Sequence, residues 1–119
     1  MKREMDLIKT ILLYLEANAR PDKWIRGLNV EGYTEDQVYY HIKLLTETRL
    51  IEGRDAGIDQ YFMWYASTLT WEGHEFLESI RNEAVWNKIQ EIVKDKGGSI
   101  SMEVLKSLAI KVSESLFLS

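Results

Sequence analysis

The chain has 119 residues, 45% of them hydrophobic, with four Trp, six Tyr, three Phe, one Pro and seven Gly; that predicts one domain with a packed core and excludes a disordered or linker-rich chain. It has no cysteine, which excludes disulfides and thiolate metal sites, and no run of about 18 apolar residues, so no membrane span is predicted. The formal net charge of −4 weighs against a nucleic-acid surface, because phosphate neutralisation supplies much of that affinity, although a local basic patch can suffice.

The opening Met1-Lys2-Arg3-Glu4 leads into an amphipathic pattern rather than an apolar secretory core, so a cytoplasmic protein is the default. A first helix is predicted from Glu4 to Asn18, with Ile8, Ile11, Leu12 and Leu15 on one stripe and Pro21 ending the pattern. Leu13 falls on the opposite face, as a contact for a later helix or part of a dimer seam. Trp24 to Val30 reads as an extended segment that pairs with the later hairpin, in place of a regular second helix.

Thr34, with Gln37 three residues on, predicts a capping box at the start of the next helix. Val38, His41, Ile42 and Leu45 share its inward face; Asp36, Tyr39, Tyr40, Lys43 and Glu47 share its outward face. Leu50 and Ile51 begin a strand, a loop lies between Gly53 and Gln60 with Gly57 taking positive φ, and Tyr61 to Leu69 returns as a strand covered on both sides. Thr70 caps a third helix with Gly73, Phe76, Leu77, Ile80 and Ala84 on its apolar side, Gly73 permitting close approach to a neighbour. Val85, Ile89, Ile92 and Val93 mark a further helix, separate or continuous. Gly97-Gly98 ends it, and Ser99 or Ser101 caps a last helix with Leu105, Leu108, Ala109, Val112 and Leu116 on one stripe. The apolar end Leu116-Phe117-Leu118 asks for cover.

Helix, strand, polar loop, strand, helix is the order of a winged helix-turn-helix, so the predicted fold is α+β: a degenerate winged helix-turn-helix with additional C-terminal helices. It forms one domain over 1–119, with a core over 1–82 and a helical extension over 83–119. Such a unit presents a helix and a loop to a partner.

Catalysis has little support. His41 and His74 lack a partner at i+4 and read as hydrogen-bonded core-edge residues. No nucleophile elbow, glycine-rich dinucleotide fingerprint or phosphate loop occurs, so no catalytic, cofactor, metal or small-molecule site is assigned. For double-stranded DNA the candidate contacts are Tyr39, Tyr40 and Lys43 on the outward helix face and Arg54 at the wing. Lys2, Arg3, Lys9, Arg20, Lys23 and Arg26 also outnumber Glu4, Asp6, Glu16 and Asp22 in the first 26 residues. Against this, Asp36 and Glu47 share the helix face, and Asp55 and Asp59 share the wing. Tyr39 and Tyr40 could equally pack against the N-terminal segment or a partner. A second reading, a protein-interaction adaptor without DNA binding, rests on Trp24, Trp64, Trp71 and Trp86 and on the apolar C-terminus, where a homodimer seam is expected.

The runs Met1 to Ile8, Gly32-Tyr33-Thr34, Tyr40 to Leu45, Leu50-Ile51-Glu52 and, above all, Leu69-Thr70-Trp71-Glu72-Gly73-His74-Glu75-Phe76-Leu77 followed by Ile80-Arg81-Asn82, Val85 to Lys88 and Gly97-Gly98-Ser99 resemble the bacterial and phage proteins grouped as Domain of Unknown Function family 2513. The resemblance covers nearly the whole chain. It implies a winged-helix fold, and it implies no activity and no catalytic residue.

Overall fold

The computed structural model describes residues 1–97 and 100–118. They form an α+β chain of five helices and a two-stranded antiparallel sheet: α1 (Met5–Asn18), α2 (Glu35–Glu47), β1 (Ile51–Asp55), β2 (Trp64–Leu69), α3 (Trp71–Ile80), α4 (Glu83–Asp95) and α5 (Met102–Leu118). Two compact units result, Met1–His74 and Glu75–Ser119. The division thus falls within α3, earlier than the residue 82 expected from sequence.

In the first unit α1 buries the expected stripe, widened by Leu7. It packs on α2 and β2. Asp6 in its first turn suits the helix dipole, and Leu13 faces outward. Among the described residues no helix forms between α1 and α2. Instead the Ile25 N–H donates to the Ala66 carbonyl at 2.7 Å in an antiparallel bridge. The Ser67 hydroxyl adds a bond to the Lys23 carbonyl at 2.9 Å. The extended pairing expected over Trp24 to Val30 is cut to that bridge because Gly27 turns away at φ 65°.

The capping box of α2 forms as expected. Thr34 Oγ1 accepts the Gln37 N–H at 3.1 Å, and Gln37 Oε1 accepts the Thr34 N–H at 2.9 Å. The other end closes as a Schellman turn: the Leu50 N–H reaches the Leu45 carbonyl and the Arg49 N–H the Thr46 carbonyl, both at 3.0 Å. Arg49 holds the left-handed position (φ 63°) that glycine usually takes. Leu45 and Leu50, the apolar pair of that motif, are both fully buried.

β1 and β2 pair as Ile51↔Leu69, Gly53↔Ala66, Arg54↔Tyr65 and Asp55↔Trp64, with an irregularity between Ile51 and Gly53. The returning strand starts at Trp64 rather than at the expected Tyr61, because residues 56–63 form the loop. Gly57 does not take positive φ. That role falls to Asp59, at φ 59°, one of the residue types that tolerate it. Gly57 is required for space: a Cβ there would lie 2.6 Å from the Tyr61 carbonyl oxygen.

At the base of the hairpin Thr70 joins three segments. Its N–H donates to the Leu50 carbonyl at 3.1 Å. Its hydroxyl donates to the Arg49 carbonyl at 2.6 Å and accepts the Gly73 N–H at 3.0 Å, capping α3. The close approach expected at Gly73 is to this backbone, since a Cβ there would collide with the Leu50 carbonyl.

In the second unit α3 continues with Phe76, Leu77 and Ile80 buried. Asn82 then caps α4, its Oδ1 accepting from the Ala84 and Val85 N–H groups at 2.8 and 3.2 Å, so the two helices are separate. Ala84 is therefore in the first turn of α4 and exposed, not on the apolar side of α3. α4 buries Val85, Trp86, Ile89 and Val93 and packs against α5. Gly97, at φ 80°, turns the chain after α4. Ser101 caps α5 by accepting the Val104 N–H at 3.2 Å; Gly98 and Ser99 lie outside the described residues. α5 buries Met102, Leu105 and Ala109, but its stripe fades toward Leu116, which is exposed.

Candidate functional site

Tyr39 is not on an outward face. It is 5% exposed, and its ring meets Phe62 edge to face with centroids 6.4 Å apart. The hairpin loop folds onto the first turns of α2, where the Tyr61 hydroxyl donates to Glu35 Oε1 at 2.7 Å. Burial, with Glu35 and Asp36 adding to it, raises the Tyr39 phenol above its ordinary value. For Tyr61 the hydrogen bond to Glu35 is the leading cause of a rise. Tyr40 and Lys43 are half-buried, Tyr40 lying edge-on to the His41 ring at 5.9 Å.

Arg54 is exposed and lies in a cluster that sequence reasoning missed. Its guanidinium carbon stands 5.3 Å from the Trp24 ring centroid and 6.0 Å from that of Tyr65; Arg26 covers the same Tyr65 ring at 5.6 Å. The pleat explains the meeting. Arg54 and Tyr65 are cross-strand partners and share a face. Ile25 pairs with Ala66 and turns inward, so its neighbours Trp24 and Arg26 join Tyr65 on the outer face. The sequence signal was the alternation Trp24-Ile25-Arg26 in a segment expected to pair with the hairpin, whose register against β2 is not set locally.

Each such cation–π contact contributes about 0.5–1 kcal/mol at an exposed site. Among the described residues neither Arg26 nor Arg54 has a carboxylate within ion-pair distance. Asp55 turns to the opposite face of the pleat and accepts the Gly57 N–H at 2.9 Å. Glu52 shares the outer face with Arg54 and is exposed. The outer face thus carries two arginines, neither in an ion pair, beside the rings of Trp24 and Tyr65.

The family model described as "Hypothetical protein (DUF2513)" matches residues 2–99. The chain belongs to this family. A protein of Haemophilus influenzae described as an uncharacterized protein is 38% identical over 109 residues, which covers 92% of each chain. No solved structure matches.

A second polar feature of this DUF2513 chain is His41, which is fully buried. Its Nδ1 lies 2.7 Å from the Gln37 carbonyl and its Nε2 2.8 Å from the Glu4 backbone N–H. A carbonyl can only accept and an N–H can only donate, so the ring is the neutral tautomer protonated at Nδ1. Burial lowers its pKa, outweighing the Gln37 hydrogen bond and the Glu4 carboxylate, which act in the other direction. Both nitrogens are occupied, and the residue joins α2 to the start of α1. Among the described residues no group of three or more His, Asp or Glu could hold a metal ion, and no helix is long and apolar enough to cross a membrane.

Proposed function

We propose that this chain is a cytoplasmic, non-enzymatic, regulator-like protein that binds double-stranded DNA with a degenerate winged helix and acts as a homodimer through its C-terminal helices. The observation that carries the reading is the pair of guanidiniums, Arg26 and Arg54, on the outer face of the hairpin, neither of them in an ion pair. Planar guanidiniums match phosphate oxygens bidentately. The order α1, α2, hairpin, α3 supports a winged helix, in which the hairpin rides on the DNA backbone. Lys43 and Tyr40 on α2 supply further contacts, while Tyr39 acts from inside by seating the loop. The lack of cysteine suits a reducing compartment.

One observation favours the second reading, an adaptor that keeps the scaffold without binding DNA. Tyr61 and Phe62 cover the first turns of α2, which is the end a recognition helix would offer to base edges.

Fluorescence anisotropy of a labelled duplex at two salt concentrations separates the two. A binder weakens steeply with salt, and Arg26→Ala with Arg54→Ala together flatten the log–log slope by about 2, close to one unit per phosphate released; Lys43→Ala flattens it further. Binding that is undetectable at low salt, or insensitive to salt, removes the DNA reading and leaves the adaptor.

A further inference from the structure

We infer that the outer face of the hairpin takes an unpaired nucleotide: its base stacks at Trp24, and its flanking phosphates are held by Arg26 and Arg54. The inference rests on the nucleic-acid reading and adds the class of substrate to it.

The composition of the face carries the argument. Backbone contact to a continuous duplex needs cations and hydrogen-bond donors, and aromatic rings add little because the base faces are already stacked on one another. A surface that alternates rings with guanidiniums is the arrangement that suits splayed-out bases, whose π-faces are free. Here the row runs Trp24, Arg54, Tyr65, Arg26, with separations of 5.3, 6.0 and 5.6 Å between each guanidinium and ring in turn. Tyr65 is covered by both arginines and serves as their floor. Trp24 is approached by Arg54 and remains 39% exposed, so ring surface is left for a ligand.

Charge selects the occupant. Two cations without carboxylate partners ask for an anion beside the stacked group, which a nucleotide supplies and an apolar peptide does not. The Ile25–Ala66 bridge and the Ser67–Lys23 bond hold the Trp24 segment against β2, so the platform exists before the ligand arrives and little ordering entropy is lost on binding.

The test compares three labelled DNAs of matched length at constant salt: a blunt duplex, the same duplex with a short single-stranded overhang, and the single strand. The full chain should bind the overhang and the single strand more tightly than the blunt duplex. Trp24→Ala should cut that advantage roughly 5- to 150-fold, the loss of one stacked base, while Trp24→Phe retains most of it. Equal binding of all three DNAs, or a preference that survives Trp24→Ala, overturns this inference and leaves the duplex reading standing. No binding of any DNA at low salt overturns both. A thermal melt of Trp24→Ala that matches the parent chain excludes misfolding as the cause of a loss.

Discussion

His41 is uncharged because both of its ring nitrogens are already committed, one donating and one accepting. A proton at Nε2 would face the Glu4 N–H and break that bond. The folded pKa is lowered by burial, so the unfolded chain takes up the proton first. The stabilisation is therefore complete above the ordinary imidazole value of about 6.5 and is lost as pH falls from there toward the folded value, with a slope of at most about 1.4 kcal/mol per pH unit. Denaturant midpoints measured between pH 7.5 and 5 should show this loss. His41→Gln, which can still donate and accept but cannot titrate, should flatten it, and an unchanged slope would place the titration elsewhere. The inward position of His41 was legible from helical spacing. That of Tyr39 was not, because what buries it is Phe62, which is 23 residues away and brought there by the loop.

At the level of elements, the local signals held wherever a short polar motif decides them: the capping box at Thr34 and the caps at Thr70 and Ser101. Each involves groups a few residues apart, so sequence spacing alone specifies it. The errors lie where non-local contacts decide: the start of β2, the left-handed residue of the loop, and the inward position of Tyr39. The cluster around Arg54 was not legible in the sequence: there Arg26 counts only among the basic residues, Trp24 only among the interface aromatics, and Tyr65 does not stand out as a site residue. The hairpin base supplies the element-scale prediction. Gly73→Ala drives a methyl into the Leu50 carbonyl, which is also bonded to the Thr70 N–H. Backbone cannot yield as a flexible side chain does, so the substitution should destabilise by about 1–3 kcal/mol, read as a drop in the denaturation midpoint. A midpoint unchanged from the parent would mean that the turn relaxes freely.

For the molecule as a whole, the acidic balance and the C-terminal helix pull in different directions. Net negative charge weakens any single DNA contact, and a second copy would double the number of arginines presented. α5 leaves Val104, Ile110, Leu116 and Phe117 exposed, Phe117 at 68%, which is costly on a surface that nothing covers. Light scattering at micromolar concentration should return twice the 13.9 kDa chain mass, and Ile110→Lys with Phe117→Ser should return the single mass. A monomer from the parent chain would end the dimer reading without touching the hairpin.

The clamp at the foot of the hairpin also governs where relatives can gain or lose residues. The Leu50 carbonyl, Thr70 and Gly73 close a fixed ring of contacts, so one extra residue in either stem would shift every outward side chain inward. Insertions and deletions should gather between Gly57 and Gln60, where the backbone is exposed. The spacing from Leu50 to Arg54 and from Tyr65 to Thr70 should be invariant even among relatives that share few residues.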